Sequence, residues 1–255
     1  MSTELAKVAG VSDELLAEFP MLDVSSEAHE MLTDRMKSGG FNERDLIQIK
    51  VPSQGSEIWT WKDITGAKSA EELVGIIIGM SPHGMLWPSE GLNRDKQRPI
   101  LETFDMRIAH RRGEELGDIP AADLERARVP AEESGGEELY YWQMLPQTKF
   151  ESAGNGRGKR VKEGRILYLL MPGRKLPVRI DLPATSIAPC DRYAQQLFDV
   201  GKLFHSVKTG ISLSPDANVD GEPFSRAKFR CIETVDYKVG KQLFQLYGMR
   251  FDSGS

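Results

Sequence analysis

"ELVGIIIGMSPHGMLWPSEG" occupies residues 72–91. Its first part reads as a buried strand, because Leu73 to Met80 is an unbroken run of apolar residues and glycine, rich in β-branched side chains. Ser81, Pro82 and Gly84 follow. A proline interrupts a strand ladder, so Ser81–Gly91 reads as a loop. The apolar run is flanked by Glu71, Glu72 and Pro82 and falls far short of the roughly 18 residues that would span a bilayer. It is a core strand, and the fold built around it is a sheet.

On its N-terminal side, "DLIQIKVP" and "IWTWKDITG" have strand alternation and are separated by the turn "SQGSE". Residues 1–40 read instead as a helical arm, with an N-cap at Ser12 before "DELLAEF" and a stop at Gly39 and Gly40. On its C-terminal side, residues from about 90 to 136 are charged and poor in large apolar side chains, which suggests an insertion that is partly helical and partly mobile. The aromatic stretch "LYYWQML" follows it. Strand patterns return at "RILYLL" and "LPVRIDLP", a helical spacing at Tyr193, Leu197 and Val200, then strands at "HSVKTGISLSP" and "AKFRCIETVD". A C-terminal helix is expected at "VGKQLFQLYGMRF". The fold class expected is mainly β with helical additions (α+β): a small OB-like β-barrel over residues 41–255, with a long charged insertion at about 90–160.

The 255 residues carry 33 Lys and Arg against 38 Asp and Glu, a net charge of −5. The N-terminus lacks the basic and apolar regions of a signal peptide. The two cysteines, Cys190 and Cys231, have neither disulfide nor zinc spacing, which fits a reducing cytoplasm.

Against this acidic background, one segment gathers positive charge. Between Gly154 and Ser186 lie Arg157, Lys159, Arg160, Lys162, Arg165, Arg174, Lys175 and Arg179. Such a run can be a solvated loop that balances the acidic insertion. It can also be a phosphate-tracking surface, because a polyanion gains affinity by counterion release whatever its sequence. Tyr168 lies just beyond Arg165, and aromatic and basic groups on one surface are what a single-strand groove needs: bases stack while phosphates pair. Trp59 and Trp61 share a strand face and suit either a core or a stacking platform. Trp87 stands beside Pro88 in the expected loop. "GNGRGKR" is not a P-loop, since Lys159 is followed by Arg160 rather than Ser or Thr.

No catalytic pattern is present. The histidines, His29, His83, His110 and His205, are scattered without cysteine or i, i+4 partners, and neither GxSxG nor HExxH occurs. Neither catalytic residues, metal ligands nor cofactors are expected.

Four stretches, "DLIQIKVPSQGSEIWTW", "ELVGIIIGMSPHGMLWP", "GNGRGKRVKEGRILYLLMPGRKLPVRIDLPATSI" and "VKTGISLSPDANVDGEPFSRAKF", resemble in order and spacing a family of phage and mobile-element proteins of Gram-positive hosts that bind single-stranded DNA. The resemblance covers about half the chain, between residues 45 and 230. It implies an OB-like fold with an insertion before the basic run. The family carries a cysteine cluster suggestive of zinc. Here Pro88–Lys162 holds no cysteine: "LYYWQML" stands where a pair is expected and Val161 where the last one is. The function expected is non-catalytic, largely sequence-independent single-stranded DNA binding in phage replication or recombination, in the bacterial cytoplasm, away from membranes and alongside replication or recombination proteins. The eight cations would meet phosphates, and Tyr168 with one or more of Trp59, Trp61 and Trp87 would stack on bases. An alternative is a phage adaptor or inhibitor that binds a host or phage protein through its acidic insertion. A third is an enzyme or accessory subunit of a replication complex.

Overall fold

The computed structural model describes residues 13–20, 27, 30, 31, 34, 46–88, 99–112, 119–153 and 158–247. The helical arm expected over residues 1–40 falls mostly outside these, and so does its N-cap at Ser12. Within the arm, Asp13–Glu18 (α1) is helical. The chain divides into two compact units, one made of residues 1–80 and 166–255 and the other of Ser81–Arg165.

The first unit contains β1 (Gln48–Lys50), β2 (Trp59–Asp63), β3 (Gly66–Ala70) and the first part of β4 (Glu72–Leu86). Most of β8 (Lys162–Leu170) belongs to it too, with β9 (Val178–Pro183), β10 (Val207–Ala217), β11 (Pro223–Thr234) and the helices α4 (Ala184–Asp199) and α5 (Tyr237–Tyr247). Its sheet runs β1-β9-β8-β4-β10-β11, while β2 and β3 form a separate hairpin. β1 lies parallel to β9, whereas β10 lies antiparallel to both β4 and β11. The core joins alternate residues of these strands, among them Ile49, Leu73, Ile77, Leu167, Leu169, Ile180 and Ile211. Helix α4 adds a stripe of Ser186, Cys190, Tyr193 and Leu197, at the spacing that puts side chains on one helix face. It starts nine residues before Tyr193, the first position of the expected helical spacing, because Pro189 inside it reads as a breaker.

The second unit holds the end of β4, then β5 (Leu101–Thr103), β6 (Ile108–Arg111), α2 (Ala121–Ala127), α3 (Ala131–Ser134) and β7 (Leu139–Tyr141). Two 3-10 turns follow, Trp142–Met144 and Pro146–Thr148. Its strand order is β4-β5-β6-β7, antiparallel throughout. Its core is Leu86, Leu101, Ala109, Tyr140, Trp142, Leu145 and their neighbours.

Two expectations are corrected. The loop expected at Ser81–Gly91 is strand as far as Leu86. β10 pairs with residues 72–76 of β4 and β5 with residues 84–86. Pro82 falls between the stretches of β4 that pair with β10 and with β5, on the edge where neither of those strands needs its N–H. Gly84 serves close packing rather than a turn: a Cβ there would lie 2.6 Å from the Trp142 ring and 2.8 Å from the Thr103 methyl. The small closed barrel is also not formed. Among the described residues, the ends of the first unit's sheet, β1 and β11, make no ladder with each other, and an isolated bridge from Ser53 to Phe224 links their neighbourhoods. The class is mainly β with a large mixed sheet, α+β. The segment read as a charged, partly helical insertion contains the helices α2 and α3, together with short strands and a core of its own.

Candidate nucleic-acid interface

The chain from Lys149 to Glu163 carries five cations (Lys149, Arg157, Lys159, Arg160, Lys162) against two acids, Glu151 and Glu163. It lies in the second unit. Gly154–Arg157 fall outside the described residues, so the phosphate role expected of Arg157 does too. The feet of the loop are described, and hydrogen bonds fasten them. The Ala153 N–H donates to the Gly158 carbonyl at 3.4 Å, and the Val161 N–H to the Gln147 carbonyl at 3.4 Å. Ser152 acts as the clasp. Its Oγ accepts from the Arg160 N–H at 2.9 Å. The same Oγ lies 2.7 Å from the Gln147 carbonyl and 2.6 Å from that of Lys149, to one of which its single proton is donated.

On this base, the cations differ in how free they are. Lys159 Nζ bonds both oxygens of Glu163, at 2.9 and 3.0 Å. Lys162 is exposed at the first position of β8. Arg160 and Arg165 are half-buried. The rest of the basic run belongs to the first unit. Arg174 and Lys175 sit in the turn between β8 and β9, where the Lys175 carbonyl accepts from the Tyr247 hydroxyl at 2.8 Å. The Thr65 hydroxyl and N–H hold the Asp63 carboxyl below its usual range, with smaller contributions from the charges of Lys68 and Arg174. Arg179 is paired with Asp181 at 2.7 Å, with both side chains mostly buried. A run that is continuous in sequence is thus divided at Arg165, and Arg179 has a structural partner rather than an open guanidinium.

Two of the four expected stacking residues are buried and the other two half-buried. Tyr168 is fully buried at 0% exposure, because β8 is covered on both faces from Ile166 to Leu170. Its ring packs against Gly79, 3.2 Å from where a Cβ would stand. Trp59 is also at 0% exposure, and its Nε1 donates to the Ile211 carbonyl at 2.9 Å. Trp61 does share the Trp59 face, as the strand period requires, but that face is the core side and Trp61 packs against the same cluster half-buried. Trp87 is half-buried directly after β4, with no acceptor for its Nε1 among the described residues.

Sequence reasoning missed Lys149 and Phe150. Phe150 is 73% exposed. The next residue, Glu151, has φ 69°, a left-handed conformation that costs a non-glycine residue about 1 kcal/mol or more. The available signal was that Phe150 stands alone in "PQTKFES", with no apolar residue at strand or helix spacing to pack beside it.

Elsewhere in the second unit, His83 Nε2 and Glu102 Oε1 lie 2.8 Å apart, and the other Glu102 oxygen accepts from Arg112 Nε at 2.9 Å. Burial, the largest single influence, pushes the Glu102 carboxyl up, but its bonds to His83 and Arg112 together hold it below its usual range. Phe104 stacks on the His83 ring with centroids 5.2 Å apart. In the acidic segment, Glu133 accepts from the Tyr141 hydroxyl, and Glu138 from Tyr140 and Arg111. Among the described residues, no three His, Cys, Asp or Glu side chains gather as a metal site would require, and no helix is long and apolar enough to cross a membrane. No protein-family model, curated protein or solved structure matches this chain.

Proposed function

We propose that this protein binds single-stranded nucleic acid, DNA in the first instance, without catalysis, through the basic loop at the C-terminal end of its second unit. The carrying observation is the clasped loop between Lys149 and Glu163: its feet are held by Ser152 and two backbone hydrogen bonds, while cations outnumber acids five to two in a chain of net charge −5. Segregated charge confines attraction for a polyanion to one region of an otherwise repelling molecule. Phosphate contacts of this kind need no base readout, so the binding is largely independent of sequence. The resemblance to phage and mobile-element single-strand binders supports the same reading and points to DNA replication or recombination. The reading does not require the OB-like barrel. A basic loop on an open sheet supplies phosphate contacts equally well.

The adaptor alternative draws less support. Glu133 and Glu138, two of the acids near the end of that insertion, are engaged with Tyr141, Tyr140 and Arg111 within their own unit.

The test is a titration of oligo-dT against the full chain at several salt concentrations. Replacing Lys159, Arg160 and Lys162 together with Ala should flatten the slope of log affinity against log salt by roughly 2, at about 0.7 per lost contact. Binding with an unchanged slope, in a variant that remains folded, would assign the interaction elsewhere.

A further inference from the structure

Of the four expected stacking residues, Tyr168 and Trp59 are fully buried and Trp61 and Trp87 half-buried, so none presents a fully open ring for the second half of single-strand recognition. Phosphate contacts alone do not distinguish a single strand from a duplex. Aromatic faces do, because only unpaired bases can lie on them.

Phe150 has the properties those residues lack. At 73% exposure, its ring is open to solvent. It immediately follows Lys149, whose Nζ is tied to the Gln143 carbonyl at 3.0 Å, so the backbone leading to the ring is braced. It precedes Glu151, whose φ of 69° turns the chain back toward the clasp. Two residues on, Ser152 joins this limb to Arg160, and Ala153 joins it to Gly158. An exposed aromatic is therefore fastened, through its own short turn, to the limb that carries Lys159, Arg160 and Lys162. A single exposed phenyl ring is ordinary on a protein surface, and it is the attachment of this one to a cationic limb that sets it apart. Beside a cluster of cations it matches the combination that holds unpaired bases: a π-face for the base and positive charge for the backbone.

We infer that Phe150 is the base-stacking residue of this site and that Ser152 is the positioning residue that holds it beside the cations. The inference rests on the reading of the loop as a nucleic-acid site. The ligand is an unpaired nucleobase, with its flanking phosphates on Lys159, Arg160 and Lys162.

The experiment compares oligo-dT with an abasic strand of equal length, which has the same phosphates and nothing to stack. Parent protein should bind oligo-dT more tightly than the abasic strand. Phe150→Ala should lose roughly 5- to 150-fold in oligo-dT affinity, the range that corresponds to one stacked base. It should bind the abasic strand as the parent does, and its melting temperature should stay within a few degrees of the parent's. Phe150→Trp should keep the affinity and add a fluorescence component that oligo-dT quenches. Ser152→Ala should weaken oligo-dT binding less than Phe150→Ala and narrow the preference over the abasic strand, whereas a merely structural role would weaken both ligands alike. If the parent binds neither strand, the functional reading fails and this inference with it. If the parent binds both strands equally, or Phe150→Ala matches the parent while the salt slope persists, phosphate binding stands and the stacking assignment is lost. Full affinity in Phe150→Leu would show a plain apolar contact and would also overturn it.

Discussion

The two units bury their apolar surface by different means. The first draws its core from long strands, with alternate Ile, Leu and Val of β4, β8, β9 and β10 supplying it and Trp59 sealed among them. The second has strands of three or four residues beyond β4, and its core centres on two aromatic side chains, Tyr140 and Trp142. Even their tryptophans differ. Trp59 donates its indole N–H to the Ile211 carbonyl, whereas Trp142 is buried with no acceptor for Nε1 among the described residues. A fold can thus be spread along a regular pattern or concentrated in a few large side chains, and the second kind depends more steeply on each of them.

The largest expected effect tests that dependence. Trp142→Ala should cost about 3–5 kcal/mol, the usual range for truncating a buried aromatic, and amide exchange in residues 99–112 and 139–148 should report the loss. Retained protection across those segments would mean that the second unit does not centre on this ring. Gly84→Ala should come next, at about 1–3 kcal/mol, because the added methyl group would stand 2.6 Å from the same ring and overpack it. A neutral Gly84→Ala in a thermal melt would show that the indole can move aside.

The contrast is sharpened by a matched pair of smaller changes. Trp59→Phe and Trp142→Phe remove similar volume, but only the first removes a hydrogen bond. The first should be more costly by about 1 kcal/mol, the net value of a buried hydrogen bond. Equal losses would mean that the indole donor to Ile211 adds nothing.

The same contrast decides what was legible in the sequence. The first unit was readable because long strands repeat their period: the patterns at "RILYLL", "LPVRIDLP" and "HSVKTGISLSP" mark β8, β9 and β10. The second unit was read as a charged insertion because a strand such as Leu101–Thr103 is too short to show any period. β3, whose Gly66–Ala70 has no large apolar residue, was missed for a related reason. Pro82 concealed the end of β4, since a proline reads as a stop unless one knows that the β10 ladder ends before it and the β5 ladder begins after it. For the site, composition found the cations but misplaced the aromatics. Alternation put Trp59 and Trp61 on one face correctly, yet it could not say that this face looks inward. Tyr168 was misread because a strand buried on both sides has no polar face to announce which residues are outside. Phe150 was overlooked because an isolated aromatic in a polar loop creates no pattern at all.

The next effect concerns Glu102, whose carboxyl sits below its usual value of 4.5. Burial raises it, and the bonds and charges of His83 and Arg112 outweigh that influence. A carboxylate whose folded-state pKa is depressed stabilises the fold fully above its unfolded value, and that stability is lost as pH falls through the folded one. Glu102→Gln should therefore destabilise the protein at neutral pH by about 1–2 kcal/mol, through a lost charge-assisted bond. The difference from the parent should shrink steadily as pH falls below about 4.5. A difference that stays constant through that range would mean that the lost contact is steric and that the network does not hold a charged carboxylate.

The smallest expected effect on stability separates a surface ion pair from a buried one and bears directly on the binding loop. Lys159 and Glu163 meet at 2.9 Å with the lysine side chain more than a third exposed, while Arg179 and Asp181 meet at 2.7 Å with both side chains largely covered. Solvent screens the first pair, so Lys159→Ala should change stability by well under about 1 kcal/mol. Arg179→Ala leaves the Asp181 carboxylate mostly buried with its guanidinium removed, so its cost should be the larger of the two. Binding should rank them in the opposite order. Lys159→Ala should lower the salt slope for oligo-dT by about 0.7, the value of one single-strand phosphate contact, and Arg179→Ala should leave it unchanged. Thermal melts and salt titrations on the same two variants settle the point. If Arg179→Ala flattens the slope while Lys159→Ala does not, the phosphates run past β9 in the first unit, and the clasped loop of the second unit is not where the strand binds.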